Sequence, residues 1–163
     1  MNAEPLIKQL GDELRRLIST ETMEEPAMVG IHTGGAWIAK QLHEQLNLAL
    51  PLGTLNINFY RDDFSRKGFN PVVNPSVLPF DVDGRHILLV DDVLHTGRTI
   101  RAAMNELFDY GRPDSISLIV LAERNGRELP IEATLCARHF QLEPHQHINL
   151  HGPDPLRLEV LER

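Results

Sequence analysis

The stretch HILLVDDVLHTGRTI, residues 86–100, joins an apolar run to two adjacent carboxylates and then to a turn rich in threonine and glycine. HILLV is continuous rather than alternating, the mark of a strand buried on both faces of a parallel sheet. After the turn, Ile100, Met104, Leu107 and Phe108 recur at helical spacing over residues 98–110, and Gly111 with Pro113 stops the pattern. SISLIVLAE, residues 115–123, is a second apolar strand. Strand, helix, strand in this order predicts a right-handed parallel unit.

The same alternation extends upstream. AMVGIH (27–32) reads as a short buried strand, and HTGG opens a helix through Ala36, Ile38, Leu42 and Leu46. TLNINF (54–59) alternates as a strand does, with Leu55, Ile57 and Phe59 on one side. Residues 4–20 set Leu6, Leu10, Leu14 and Leu17 on one helical face, with Ile7 and Ile18 at its margin. Residues 60–85 are rich in charge, proline and asparagine, and a connection that long in a compact domain is functional or disordered. DVDG at 81–84 follows Pro79 and Phe80 rather than an apolar strand, so it reads as a turn. The expected fold is α/β: one domain over residues 1–163, built on an open, mostly parallel twisted sheet flanked by helices. Ligands of such sheets sit at the carboxyl ends of the strands, where both HTGG and DDVLHTGRT fall.

Neighbouring side chains of a strand point to opposite faces, so Asp91 and Asp92 share a ligand only if the chain turns at Val93–Gly97. Two acids at a strand end call for a cation, hydroxyl donors, or both. Thr96, Gly97, Arg98 and Thr99 stand where the next helix begins, with unpaired N–H groups and about half a positive charge from the helix dipole. Gly97 admits close backbone approach, and the threonine hydroxyls add donors. This is a phosphate cradle beside a hydroxyl site, matched by a ribose 5-phosphate. The competing reading is a strand ending in solvated acids, or a Walker-B-like Mg²⁺ site. The chain contains no GxxxxGK[ST] and no GxGxxG, so a P-loop or a dinucleotide site lacks its glycine signature.

Composition narrows the class further. With 42% hydrophobic residues the 163-residue chain can bury a core, and no apolar run approaches the roughly 20 residues that cross a bilayer. The N-terminal stretch carries acids and no signal-like apolar block, so the cytoplasm is the expected compartment. The net charge of −7 argues against wholesale nucleic-acid binding, though a local basic patch remains compatible with it. Cys136 is the single cysteine and reads as a buried small hydrophobe.

VDDVLHTGRT, residues 90–99, resembles the phosphoribosyl-pyrophosphate (PRPP) signature of type I phosphoribosyltransferases, in the variant of the pyrimidine operon attenuation family, PyrR. FYRDDFS at 59–65 is similar to the family's approach to its flexible loop, RAAMNELFDYGRP at 101–113 to its following helix, and GRELPI at 126–131 to its late hairpin. The resemblance covers most of residues 27–133. It implies transfer of phosphoribose from PRPP to uracil, giving UMP and pyrophosphate with Mg²⁺. It implies a flexible loop about 61–81, C-terminal strands within 129–163, and a small hood built from terminal segments.

On that resemblance Asp91 and Asp92 hold the ribose hydroxyls, with an indirect part in metal binding, and Val93, Leu94, His95, Thr96, Gly97, Arg98 and Thr99 form the 5-phosphate loop. Thr33, Gly34 and Gly35 correspond to the pyrophosphate loop, Arg61 is placed to close over the pyrophosphate, and Arg124 is a further candidate for the same ligand. Relatives of this family form dimers and tetramers, so a homodimer or homotetramer is implied.

Two departures matter. The family carries Thr-Arg-Gly in the pyrophosphate loop where this chain has Thr33-Gly34-Gly35, so Arg61, Lys40 or Mg²⁺ must supply the missing positive charge. The family's Asp-Arg-Gly-His-Arg run is replaced by Glu123-Arg124-Asn125-Gly126-Arg127, and Glu132 follows Ile131. Those changes remove charge that would help bind RNA. The alternative reading, favoured by the missing loop arginine and disfavoured by the acidic balance, is a UMP- or PRPP-sensing regulator of RNA with weak or no transferase activity, and a purine or another pyrimidine is an alternative acceptor. Trp37 is expected in the core or a subunit contact, and His145, His147 and His151 on the surface rather than on a metal.

Overall fold

The structure, a computed structural model, describes residues 1–57 and 75–163. Its elements run α1 (Glu4–Thr20), β1 (Ala27–Ile31), α2 (Gly34–Leu46), β2 (Gly53–Leu55), β3 (His86–Leu94), α3 (Arg98–Tyr110), β4 (Ser115–Arg124), β5 (Leu135–Phe140), β6 (Gln146–His151) and β7 (Arg157–Glu162). Five strands form one sheet in the order β2-β1-β3-β4-β5, parallel at every pairing. β6 and β7 form a separate antiparallel hairpin. From β1 the chain builds outward to β2 on one side and to β3 on the other. The crevice at the carboxyl ends of β1 and β3 is thus the topological switch point, where open α/β sheets bind ligands.

The continuous apolar strands serve two cores at once. Met28, Leu88, Val90, Ile119 and Leu121 pack on one face under α1 and α2, with Ile7, Leu10, Leu14, Ile38 and Leu42. Ala27, Val29, Ile31, Ile87, Leu89 and Val120 pack on the other, against Ile100, Ala103 and Leu107 of α3. Each such side chain contributes about 1.5–3 kcal/mol of burial, which is why runs like HILLV cannot turn to solvent. The stripe of α1 is centred on Ile7, Leu10 and Leu14, one position from the face expected, and Leu6 and Leu17 flank it half-buried. On α3 the line Ile100–Ala103–Leu107 is buried, whereas Phe108, expected inward, is 56% exposed. It lies about 100° around the helix from Leu107 and so leaves the core face.

Two further expectations are corrected and one, the turn at 81–84, is met. β2 covers only Gly53–Leu55; Asn56 and Ile57 are buried without strand pairing, and Phe59 lies outside the described residues. The segment 126–131, expected as a hairpin, is an irregular connection between β4 and β5, two parallel neighbours, and the hairpin is β6–β7 instead. β5 accordingly belongs to the main sheet rather than to a terminal cap. DVDG is a turn: Gly84 has φ +69°, and Asp83 Oδ1 accepts the Arg112 N–H at 2.7 Å.

The hairpin is tied to the other end of the chain. Ala3 N–H donates to Leu156 O at 3.0 Å, Leu158 N–H to Met1 O at 2.8 Å, and the terminal ammonium of Met1 to Leu158 O at 2.9 Å. Leu156 and Leu158 are buried in the α1–α2 core, so the hood is built from both termini and seated on the sheet domain.

Candidate active site

α2 lies unusually close to the strands beneath its N-terminus, and glycine makes that possible. A Cβ on Gly35 would stand 2.5 Å from the Val90 carbonyl oxygen and 2.9 Å from Asp91 Cα, both backbone. The first turn of α2 therefore rests directly on β3 at the acids. Gly34 is different: the atoms nearest a Cβ there belong to the Asp92 side chain, Oδ2 at 2.4 Å, Cγ at 2.9 Å and Cβ at 3.1 Å. Gly34 thus holds the Asp92 side chain against bare backbone.

β3 continues through Leu94, so the turn expected directly after the acids begins only at His95. Asp91 and Asp92 keep their opposite orientations, yet both border one cleft because it crosses the carboxyl edge of the sheet. Asp92 N–H donates to Asp91 Oδ1 and Val93 N–H to Asp92 Oδ1, each at 2.8 Å, which fixes both carboxylates. Asp91 is buried at 6% exposure. The cleft, about 420 Å³, is lined on the sheet side by His32, Thr33, Gly34, Asp91, Asp92, Val93 and Thr99. Trp37 lines it too, while also packing on the core, and its ring lies against Gly152 of the β6–β7 turn. The opposite wall is β6: Ile148, Asn149, Leu150 and His151.

The loop after β3 is held by its neighbours. Gly97 has φ +95°, a left-handed conformation that favours glycine, and sits against Leu129 and Ile131. Thr96 Oγ1 accepts the Arg98 N–H at 3.1 Å, which leaves the hydroxyl proton to donate elsewhere. Thr96 O accepts the N–H groups of Glu128 and Leu129 at 3.0 and 3.1 Å, and Arg98 pairs with Glu128 at 2.8 Å. The N–H groups of Thr99 and Ile100 fall in the first turn of α3, where a helix offers them no carbonyl. Arg127 braces the loop from behind, donating to the carbonyls of His95 and Ile131 and pairing with Glu123. Leu94 is buried in the α3 core and His95 is exposed. Partial desolvation, then the Arg124 charge, lowers the His95 pKa; Arg127 and His147 act the same way and Glu128 opposes them.

The structure thus brings Thr33, Gly34, Asp91, Asp92, Val93 and Thr99 together in one cleft, with Gly35 beneath. Arg124 is elsewhere. It is buried, donates to Asn125 O at 3.1 Å and Gln146 O at 2.7 Å, and lines a second pocket, so it fastens β4 to the hairpin. Lys40 is exposed on α2, outside the residues that line the cleft. Arg61, expected over the pyrophosphate, lies outside the described residues. The roles of Arg127 and of the β6 wall were missed from sequence, since neither carries a local signature. Cys136 is half-buried rather than buried; burial pushes its thiol up to about 11, and Sγ donates to Arg138 O, so it is inert as a nucleophile. His145 and His151 pair with Glu162 and Glu159 of the facing strand. Among the described residues no helix is long and apolar enough to cross a membrane.

Comparison with known proteins agrees with this geometry. The family model described as the phosphoribosyl transferase domain matches residues 3–150. A protein of Nitrosococcus oceani named "Bifunctional protein PyrR" is 52% identical over 162 residues, covering 98% of this chain and 92% of that one. Its namesake in Pseudomonas syringae pv. tomato is 49% identical over 159 residues, covering 98% and 94%. In fold, the crystal structure of the hypoxanthine phosphoribosyltransferase of Trypanosoma cruzi superimposes with a TM-score of 0.71 at 18% identity, over 99% of this chain and 94% of that one. With a cleft of paired acids at the switch point and kinship along nearly its whole length, the chain belongs to the phosphoribosyl transferase domain family, in the branch of the proteins named PyrR.

Proposed function

We propose that the protein is a uracil phosphoribosyltransferase, converting uracil and PRPP to UMP and pyrophosphate, and that it also regulates pyrimidine-operon RNA. The observation that carries the enzymatic reading is the convergence of Asp91, Asp92, Gly34 and Thr99 on one cleft walled by β6. Asp91 and Asp92, each held by a backbone N–H, take the ribose hydroxyls and lie beside the sugar as positive charge develops at its anomeric carbon. Preorganised carboxylates there stabilise the transition state more than the ground state. The Thr96–Thr99 loop and the first-turn N–H groups of α3 hold the 5-phosphate and fix the sugar's orientation. Thr33 and Gly34 face the pyrophosphate at the N-terminus of α2, and the base lies against Ile148–His151, screened from water by the hairpin.

The donor set suits Mg²⁺, a hard cation that binds through one or two carboxylates and substrate phosphates. Asp92 Oδ2, against bare backbone at Gly34, would hold it, directly or through water. When bound it supplies the positive charge that offsets the pyrophosphate, a need made larger by glycine at position 34.

The test is UMP formation by purified protein with uracil, PRPP and Mg²⁺. Asp91→Asn and Asp92→Asn should each lower kcat about 100-fold or more; turnover that survives both substitutions overturns the assignment. The regulatory reading is favoured by the 52% identity to a relative named bifunctional. It is tested by retention of pyrimidine-operon leader RNA in a gel shift, which should strengthen with UMP and fall with salt. Absence of a shift at low salt removes that half of the proposal.

A further inference from the structure

Behind the phosphate loop, on the outer edge of the sheet, β4 and β5 bring three side chains of mixed chemistry together. Their register pairs Glu123 with His139 directly and Val120 with Cys136. His139 Nε2 lies 3.3 Å from Glu123 Oε2, and one donor atom from each of Glu123, Cys136 and His139 falls within 4.8 Å of the others. In a tetrahedral zinc site with bonds of 2.0–2.3 Å, donor atoms stand about 3.3–3.7 Å apart. The Glu123–His139 pair is already at that spacing, and a shift of about 1 Å brings in the sulfur. His139 is well exposed and free to make that adjustment, with 74% of its side chain accessible. Glu123 is held from behind, since Arg127 binds Oε1 and leaves Oε2 toward the histidine. An oriented carboxylate of this kind is what ligating acids have in metal sites. Glu123 and His139 also open onto a pocket of about 360 Å³, which gives a cation an entry path and a fourth position.

We propose that Glu123, Cys136 and His139 form a binding site for a divalent cation of the zinc class, separate from the Mg²⁺ used with PRPP. Sulfur, imidazole and carboxylate together suit a borderline-soft ion and not Mg²⁺, which takes oxygen alone. On binding, the thiol proton passes to solvent as the sulfur–metal bond forms, the neutral imidazole donates through Nε2 and Glu123 through Oε2, and water fills the fourth position. No electron is transferred. The site reaches the phosphate loop through one residue, because the guanidinium of Arg127 that grips Glu123 also donates to the His95 carbonyl.

The experiment titrates the metal-free, reduced protein with Co²⁺ and follows its absorption. One equivalent should give a thiolate-to-cobalt charge-transfer band with the strong visible bands of four-coordination, displaced by Zn²⁺ and untouched by Mg²⁺. Cys136→Ser should abolish the charge-transfer band, and Glu123→Gln and His139→Ala should each weaken binding at least tenfold. His139 is exposed, so His139→Ala keeps the test valid even if a substitution at Cys136 unfolds the chain. His145→Ala/His147→Ala should leave the titration unchanged. A missing charge-transfer band, or binding lost in the hairpin double variant and kept in His139→Ala, overturns the proposal.

Discussion

The two walls of the cleft are built in different ways. The sheet wall is backbone packed on backbone: Gly35 rests on Val90 and Asp91, and the acids are fixed by N–H groups of their own strand. The hairpin wall is a two-stranded ribbon, which alone is marginal in water. It is held by Leu156 and Leu158 in the core, by the strand-like pairing of residues 1–3, and by polar ties from Arg124 and Asn125. The sheet wall, which carries the two acids, is thus rigid by sterics, while the hairpin wall is attached at a few points.

If the sheet wall is set by sterics, one methyl group should break it. Gly35→Ala places a Cβ against two backbone atoms that cannot turn aside, and should cost about 3 kcal/mol. That corresponds to a fall of roughly 10 °C in Tm for a domain of this size, readable by calorimetry. An unchanged Tm would mean that α2 does not rest on β3 as described. The hairpin wall should break at Arg124. Arg124→Ala removes two donations to carbonyls from a buried cation, a loss of about 2 kcal/mol. It should raise KM for uracil more than KM for PRPP. The opposite split would place Arg124 on the pyrophosphate, as its sequence context suggested.

How far the sequence disclosed this arrangement follows the same division. HILLVDD and HTGRT are separated only by Val93 and Leu94, so periodicity and turn chemistry alone placed β3, the acids and the start of α3. The hairpin was misplaced at 126–131 because that expectation rested on the resemblance of GRELPI alone, and the segment instead packs on Thr96 and Gly97. Arg124, Arg127 and the Glu123–Cys136–His139 group depend on the register of β4 with β5 and on a loop crossing 32 residues away, which no local pattern encodes. Trp37, expected in the core or a subunit contact, is half-buried: it packs against the core, and its helix also presents it to the cleft.

Gly34 offers a gentler probe of the sheet wall. In Gly34→Ala the atoms nearest the new Cβ belong to the Asp92 side chain, which gives way by losing its bond from the Val93 N–H rather than by moving backbone, so the stability loss should be about 1 kcal/mol, smaller than at Gly35. Turnover should nevertheless fall roughly ten- to hundredfold, as expected when a reacting group is displaced by about 1 Å. Stability lost at position 35 and activity lost at position 34 would separate the two roles of adjacent glycines; equal activity in Gly34→Ala would show that Asp92 need not stay where it lies.

The smallest expected effect reports on the spacing between the loop after β3 and the end of β4. His95 lies in the loop between β3 and α3, and its pKa is lowered by desolvation, then by Arg124 at the end of β4, with a smaller part from His147 on β6. The unfolded imidazole takes up its proton near 6.5 and the folded one only at lower pH, so the folded state binds fewer protons in between. Its contribution to stability is therefore present above pH 6.5 and is lost as pH falls through that value toward the folded pKa. Thermal unfolding at pH 7.5 and 5.5 should show this loss in the parent and not in His95→Gln. Removing the Arg124 charge should move the His95 titration, followed by NMR, back toward 6.5. If His95 titrates identically in Arg124→Ala, the Arg124 guanidinium at the end of β4 stands farther from the imidazole in solution than the field at His95 implies, and the loop is coupled to β4 through Arg127 rather than through Arg124.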